Sequence, residues 1–310
     1  MALLQTNCPK LSLVARGKVR DIYEVPGDEK KLLFVATDRV SAFDIVMKNG
    51  IPNKGKLLTK LSVFFFKKFE SVVPNHLISS NFEYISSLSD SISTYKDQLE
   101  GRTILVKRCK VLKCEAIVRG YLTGSAYSEY QRFGSVHGIT VAKDLIESSK
   151  FPKPIFTPST KAEEGNHDEN IHPNKLPEVL GSSELAKKIE QISIDLYNKA
   201  NEYCLSIKSS LFLADTKFEF GIDHDSNDLL LIDECLTPDS SRFWSVDDYQ
   251  EGKKMSGFDK QFLRDWLKSQ GISSDTQSKE GIEIPQDIIE STWLKYTEAY
   301  KKLTGEDFSF

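Results

Sequence analysis

Residues 213–232 combine the composition of a buried hairpin with charged side chains at alternate positions, and this pattern limits the folds open to the chain. The first half reads Leu-Ala-Asp-Thr-Lys-Phe-Glu-Phe, and a strand period of two puts Asp215, Lys217 and Glu219 on one face with bulky residues on the other. A polar turn and the apolar run 229–232 follow. The segment is therefore predicted to be a hairpin that is mostly buried yet carries charge on one face.

The hairpin should bring two carboxylates and an ammonium group together. If its strands pair about the polar turn, Glu219 falls near Asp233, with Lys217 two residues along on the same face. Such a pair of carboxylates suits Mg²⁺, because this ion keeps several waters and is commonly held by one or two carboxylates together with substrate phosphates. The alternative is a solvated edge hairpin with cross-strand ion pairs, against which the bulky apolar residues argue.

The bulk properties exclude several classes of protein. The 310 residues can form one large domain or two intimate lobes, and a net charge of −4 gives no basic surface for nucleic acid. Apolar stretches such as 32–36 and 63–66 are far shorter than the roughly 20 residues that span a bilayer. The N-terminal sequence lacks a secretory pattern, and the five cysteines have neither zinc-ligand nor disulfide-framework spacing. We therefore expect a cytoplasmic protein with reduced thiols.

Periodicity and turn residues predict the remaining secondary structure. We expect an N-terminal β-rich region with a hairpin formed by 17–25 and 31–37, a strand at 101–114 and a long loop at 150–180. Amphipathic spacing predicts helices over 56–69, 124–134, 184–203 and 285–303, with Ser125 capping the second and Pro285 in the first turn of the last.

Two basic segments outside the hairpin are candidates for anion binding. Gly17, Lys18 and Arg20 open the first strand, where a glycine between basic residues suits phosphate, although a basic strand edge would look the same. Arg119 precedes the helix that begins near Ser125, and free amides together with a guanidinium make a site for phosphate or carboxylate. The alternative for the second segment is an ordinary capped helix with a surface arginine.

Three polar loops add further candidates. Residues 36–44 deliver Asp38, Arg39, Ser41 and Asp44 into a turn, which could equally be an Asx or serine turn without a ligand. The loop 156–170 is dense in ionisable groups, and a solvated acidic loop is the simpler interpretation of it. Residues 237–244 place Asp239, two serines and an arginine beside the hairpin carboxylates, which packing alone does not explain.

Five blocks in order over nearly the whole chain resemble the SAICAR synthetase family. They are Gly-Lys-Val-Arg-Asp-Ile-Tyr at 17–23, Thr-Asp-Arg-Val-Ser-Ala-Phe-Asp at 37–44, Glu-Ala-Ile-Val-Arg-Gly-Tyr-Leu-Thr-Gly-Ser at 115–125, Asp-Thr-Lys-Phe-Glu-Phe-Gly at 215–221 and Asp-Glu-Cys-Leu-Thr-Pro-Asp-Ser-Ser-Arg-Phe-Trp at 233–244. The length, the 150–180 segment and the block at 259–266 resemble the monofunctional fungal form of this family.

The resemblance implies an α+β fold of two lobes, related to ATP-grasp enzymes and protein kinases. A small antiparallel β lobe, residues 1–113, would cover the nucleotide, and a larger α/β lobe, residues 114–310, would bind substrate and metal. The implied reaction joins L-aspartate to the carboxylate of 5-amino-1-(5-phosphoribosyl)imidazole-4-carboxylate (CAIR) while ATP becomes ADP and phosphate. ATP and Mg²⁺ are the implied cofactors, the partners are small molecules, and the protein is expected to be a monomer.

The family pattern also implies roles for individual residues. The residues assigned to nucleotide are Gly17, Lys18, Arg20, Lys107, Val111, Leu112, Lys113, Glu219 and Asp233, the last two also as Mg²⁺ ligands. The residues assigned to substrate anions are Arg119, Ser125, Lys161, His167, Ser241, Arg242, Lys260 and Arg264. Lys217 is the cation at the site of phosphoryl transfer, and either Asp215 or Asp168 would assist deprotonation of aspartate.

Two other functions fit parts of the sequence. A kinase-like phosphotransferase is disfavoured because neither His-Arg-Asp nor Asp-Phe-Gly occurs in the chain. A non-catalytic nucleotide-binding module is disfavoured because Lys217, Glu219 and Asp233 are all present.

Overall fold

The computed structural model describes residues 1–43, 45–161, 168–258, 260–273 and 281–309. The strands and helices of its N-terminal part run up to residue 107. They are β1 (Leu13–Arg16), β2 (Arg20–Val25), β3 (Asp28–Ala36), β4 (Arg39–Ala42), β5 (Ile45–Gly50), α1 (Lys54–Lys68), β6 (Leu77–Ser79), α2 (Phe82–Ser87), α3 (Asp90–Ser93), α4 (Lys96–Leu99) and β7 (Thr103–Lys107).

An antiparallel sheet in the order β1-β2-β3-β7-β6 dominates this part. Its central hairpin turns at Gly27, which adopts a positive φ of 79° that glycine tolerates without steric cost. One face of the sheet, with Tyr23, Leu33 and Leu105, packs on the short helices α2 to α4 and forms a small core of its own.

The remaining chain builds a larger unit. Its elements are β8 (Cys109–Tyr121), α5 (Gly124–Phe133), β9 (Ser135–Val136), β10 (Ile139–Thr140), β11 (Lys150–Phe156), β12 (Ser159–Thr160), a 3₁₀ turn (Pro173–Lys175), α6 (Leu176–Leu180), α7 (Ser183–Ser206), β13 (Leu211–Asp223), β14 (Leu229–Ile232), β15 (Ser241–Ser245), α8 (Gln261–Ser269) and α9 (Gln286–Thr304).

The central sheet of this unit is built around β8 and β13, which run antiparallel side by side for most of their length. On the other edge of β13, β15 pairs with its first half and β14 with its second half, and β11 and β12 pair with β8. Phe218 and Phe220 point from β13 into the main core, as the strand period predicts. The opposite face, which carries Asp215, Lys217 and Glu219, does not point into this core and is therefore the candidate location of a functional site.

Helices α7 and α1 close the other side of the core. The helix α7 begins at the cap residue Ser182, whose hydroxyl accepts from the Leu185 amide, and buries a stripe that includes Ile189 and Leu196 against the sheet. The helix α1 lies early in the sequence, yet Leu57, Leu61 and Phe65 belong to this same main core, beside α9. The two parts of the chain thus share a continuous hydrophobic contact.

The predicted α+β class and all four amphipathic helices are confirmed. Four details of the prediction are wrong. The strand expected at 101–114 is two strands, because Arg108 bonds back to Lys30 and the chain passes from one sheet to the other. The 150–180 segment contains β11, β12 and α6, Thr123 rather than Ser125 is the N-cap of α5, and Pro285 is the cap of α9 rather than its first turn.

None of the helices in the described ranges is long and apolar enough to cross a membrane.

Candidate functional site

The strand β13 pairs edge to edge with β8, and the register between them gathers one acidic cluster on the charged face of the sheet. Glu219 is paired with Glu115, and the Lys217 ammonium ion-pairs with both carboxylates, at 3.1 Å from Glu219 Oε1. Burial alone would lower the pKa of Lys217, but the Glu219 and Glu115 charges raise it well above its usual range. Lys217 is therefore a fixed cation between two carboxylates.

Asp233 completes this cluster from the end of β14. Glu219 is paired with Ile232, so Asp233 is the next residue along, and its φ of 71° turns the chain sharply out of the strand. Arg20 ion-pairs with Asp233, and its Nη2 also lies 3.0 Å from Glu234 Oε1. Burial would raise the pKa of Asp233, but Arg20 and neighbouring lysines lower it below its usual range. The carboxylate stays ionised, as a metal ligand must.

The donor set fits Mg²⁺ held jointly with phosphate. In the described ranges, no three histidine, cysteine or acidic side chains are grouped as a self-sufficient metal site. Two carboxylates suffice for Mg²⁺ when substrate phosphates and waters supply the other oxygens. The Lys161 ammonium contacts Glu219, and Arg20 contacts Asp233, so both proposed ligands already face positive charge.

A guanidinium pair occupies the other end of the same face. Asp215 lies in register with Arg119 on β8 and Arg242 on β15, and its Oδ2 contacts both guanidinium groups, at 3.6 Å from Arg119 Nη1. Arg119 also donates from Nε to Thr157 Oγ1 at 3.0 Å, and burial lowers its pKa. Arg119, which is buried, and Arg242, which is half-buried, both contact this carboxylate, and guanidinium groups are suited to binding a substrate carboxylate or phosphate.

The start of α5 lies beside this pair. A Cβ at Gly124 would come within 3.0 Å of Arg242 Nη2, and the residue has a φ of 59°, so glycine lets the helix approach the guanidinium. Ser125 follows and opens onto a cleft of about 590 Å³. The other residues that line the cleft are Ser128, Glu129, Arg132, Phe133, His137, Gly138, Asn170, Ile171, His172 and Lys175.

One substrate candidate after β14, Lys260, lies in a buried network around Asp239. Asp239, 3% exposed at its side chain, accepts from Lys54 at 2.7 Å, Lys260 at 3.2 Å and the Tyr296 hydroxyl at 2.7 Å. Lys260 thus lies inside this network, and burial lowers its pKa.

The other two candidates in this region differ in their surroundings. Ser241 is buried, and its hydroxyl lies 2.8 Å from the Thr216 hydroxyl on the neighbouring strand β13. Arg264 lies on α8, four residues after Lys260, and is half-buried.

The nucleotide candidates occupy the junction of the two sheets. Gly17 and Lys18 lie in the exposed turn between β1 and β2. Lys107 pairs with Asp223 at 2.7 Å, at the C-terminal end of β13, four residues beyond Glu219. Val111 and Lys113 are exposed on β8, whereas the Leu112 side chain belongs to the main core and could contribute its backbone only.

The remaining two candidates lie around the 162–167 segment. Asp168 is exposed, and its charge is among the causes, after burial, that raise the pKa of Glu115. His167 lies outside the described residues.

Sequence reasoning left two contributors without a role. Glu115 faces Lys217 because β8 pairs with β13 in that register, and pairing the alternating Glu-Ala-Ile-Val-Arg block against the Asp-Thr-Lys-Phe-Glu block would have found it. Asp239 was noted as part of a polar turn, but its partners come from α1, the N-cap of α8 and α9, which no local pattern links to it.

The chain is similar along its length to enzymes of one family. The SAICAR synthetase family model matches residues 13–280. The phosphoribosylaminoimidazole-succinocarboxamide synthase of Pichia angusta is 52% identical over 313 aligned residues, with 100% of each chain covered. A solved SAICAR synthase from Saccharomyces cerevisiae, complexed with SAICAR, is 47% identical with a TM-score of 0.86, covering 99% of this chain and 100% of that one.

A more distant solved structure is described as SAICAR synthetase in complex with ADP. It is 26% identical with a TM-score of 0.67, covering 96% of this chain and 99% of that one. The sequence match over the full length and the shared fold lead to one conclusion: the chain belongs to the SAICAR synthetase family.

Proposed function

We propose that the protein joins L-aspartate to the carboxylate of CAIR at the charged face of β13, with conversion of ATP to ADP and phosphate. The observation that carries the proposal is the order of charge along one face of β13. The carboxylate of Glu219 lies beside the ammonium group of Lys217. Two residues further along the strand, the carboxylate of Asp215 contacts a pair of guanidinium groups. One end suits metal and nucleotide phosphate, and the other suits the anionic groups of the acid substrates.

At the nucleotide end, Glu219 and Asp233 would hold Mg²⁺, which when bound offsets charge on the phosphates. The turn that contains Gly17, Lys18 and Arg20 would cover those phosphates, supported by the reach of Arg20 to Asp233. The strand ends at Lys107 and 111–113 would lie on the adenine side.

At the centre, Lys217 would stabilise the transferred phosphoryl group. A carboxylate is a poor acylating agent, and phosphorylation of the CAIR carboxylate supplies phosphate as a leaving group. The raised pKa of Lys217, caused by Glu219 and Glu115 against the effect of burial, keeps the ammonium charged while the phosphoryl charge develops. The amine of aspartate then attacks the activated carbonyl and phosphate departs.

At the substrate end, Arg119 and Arg242 would bind carboxylate or phosphate groups, with Ser125 at the start of α5. Lys161, His167, Ser241, Lys260 and Arg264 remain proposed contributors to substrate anion binding. Because Asp215 Oδ2 is engaged by two guanidinium groups, we favour Asp168 over Asp215 as the group that takes the amine proton.

The proposal extends to organisation. Residues 1–113 would act as the nucleotide-covering lobe and 114–310 as the substrate lobe of a cytoplasmic monomer. The division falls within β8, so this one strand would serve both lobes. Light scattering after gel filtration tests the monomer, since a dimer would elute with twice the 35.1 kDa mass of the chain.

The reaction is tested by ADP release with each cosubstrate omitted in turn. The proposal requires both CAIR and L-aspartate, together with Mg²⁺, for release above background. Turnover with a hydroxyl acceptor in place of CAIR and aspartate would favour a kinase-like enzyme, and binding of ATP without any turnover would favour a non-catalytic module.

A further inference from the structure

Arg39, at the start of β4, is a buried arginine that the proposed reaction does not use. It is 8% exposed, and four of the five hydrogen bonds described for its guanidinium go to residues 17–21. The acceptors are Lys18 O at 3.1 Å from Nε, Leu4 O at 2.6 Å from Nη1, and Gly17 O at 2.8 Å, Arg20 O at 3.0 Å and Asp21 Oδ1 at 2.8 Å from Nη2.

Three of these acceptors are main-chain carbonyls of the turn between β1 and β2. The turn is closed by a bond from the Gly17 amide to Arg20 O at 2.8 Å, and Arg39 binds that same Arg20 oxygen. Thr37 adds a fourth main-chain contact from the same side, donating from Oγ1 to Val19 O at 2.8 Å. The backbone of the turn is therefore held from within the protein by Arg39 and Thr37.

The same turn carries the side chains that reach the nucleotide end of the site. Arg20 extends from it to Asp233 and Glu234, and Lys18 lies two residues before Arg20. A small change in the backbone of the turn would displace both side chains. Accurate placement of binding groups depends on the contacts behind them.

We infer that Arg39 is a positioning residue for nucleotide binding, acting through the turn at 17–20. The inference rests on the proposed function, because it takes this turn to cover nucleotide phosphates. Arginine is required by geometry, since its planar fork presents five donors in fixed directions, whereas lysine has a compact ammonium at a single point. Lysine at position 39 would keep the charge opposite Asp21 but lose most bonds to the turn.

The test is calorimetric titration of Arg39→Lys with Mg-ATP. We expect the dissociation constant to rise roughly tenfold, the equivalent of losing the net contribution of one or two hydrogen bonds. The KM values for CAIR and aspartate should stay within about twofold of wild type, because the guanidinium pair lies at Asp215, away from the 17–20 turn, and Arg39 makes no described contact with it. Thr37→Val, a milder change at the same turn, should weaken Mg-ATP binding about threefold even if the first variant folds poorly.

Arg102→Lys is the matched control. Arg102 is 5% exposed, lies in the same part of the fold, and donates to both oxygens of Asp38 at 2.8 and 3.3 Å without touching the 17–20 turn. We expect this variant to lose stability like Arg39→Lys yet bind Mg-ATP like wild type.

Two results would overturn the inference: wild-type Mg-ATP affinity in both Arg39→Lys and Thr37→Val, or equal weakening in Arg102→Lys. A wild-type protein that binds Mg-ATP without ligating CAIR and aspartate would contradict the proposed reaction instead, and the comparison of variants would still decide the role of Arg39.

Discussion

The buried network around Asp239 allows a quantitative prediction about the loop that precedes Arg242. Asp239→Asn keeps the shape of the side chain but removes the negative charge that faces Lys54 and Lys260. Removing one partner of a buried ion pair costs about 3–5 kcal/mol. Since two ammonium groups lose their counter-charge here, we expect a loss of at least about 4 kcal/mol and a fall in Tm of roughly 10 °C.

Urea unfolding followed by tryptophan fluorescence measures this loss, and two comparison variants test its cause. Lys54→Met leaves Asp239 paired with Lys260 and Tyr296, so it should cost only about 2 kcal/mol. The double variant should be more stable than the sum of the two losses predicts, because it leaves one unpaired ammonium instead of two. A loss below about 1 kcal/mol in Asp239→Asn, or strictly additive losses, would refute the reasoning.

The difference in unfolding free energy between wild type and Asp239→Asn should change with pH in one direction. Burial would raise the pKa of Asp239, but Lys260 and Lys54 lower it below its usual range. A depressed carboxyl pKa stabilises the fold above the unfolded value of about 4, and this contribution is lost as the pH falls. The stability gap between wild type and Asp239→Asn should therefore narrow below about pH 4.

Three further predictions concern the proposed site and a buried histidine. Glu219→Gln and Asp233→Asn should each lower turnover at least about 100-fold while circular dichroism stays unchanged, with the surface variant Asp225→Asn as control; wild-type turnover in either would reject the metal assignment. Arg242→Ala should raise the KM for CAIR or aspartate roughly 30-fold, the equivalent of about 2 kcal/mol for a charged hydrogen bond; unchanged KM values for both would reject its anion role. Burial lowers the pKa of His76 to about 3, so the folded protein should lose about 1.4 kcal/mol of stability per pH unit below the unfolded value of about 6.5, as the unfolded chain takes up the proton. His76→Phe should reduce the slope of stability against pH by this amount between pH 6.5 and 5 in urea unfolding, with a slope remaining from His137, whose pKa burial lowers to about 4, and a slope equal to wild type would contradict the burial effect on His76.

Local periodicity predicted the strands that carry the site residues, but not the residues of other elements that contact them. The alternation of Asp215, Lys217 and Glu219 with bulky residues fixes which face of β13 is buried, because the two faces of a strand are set by sequence alone. The partners of that face depend on strand register and on distant helices. Glu115 and Asp239 were for this reason left without roles, although both lie in motifs that the sequence singled out.

The errors in the fold prediction have the same origin. The apolar run through 101–114 has the composition of one strand, and nothing local shows that Arg108 leaves one sheet and Cys109 enters another. The 150–180 segment was predicted to be a loop because β11 and β12 are short edge strands without a clear hydrophobic period. Their strand conformation depends on pairing with β8, which the local sequence does not show.

The long pairing of β8 with β13 also protects the protein against misalignment. If β13 slipped by one residue relative to its neighbours, Lys217 and Glu219 would turn into the interior, and Phe218 and Phe220 would turn outward. A misaligned sheet would thus pay for buried charge and exposed rings at once. A stably folded molecule therefore has the site residues of β13 in the correct register, and we expect few stable but inactive conformers.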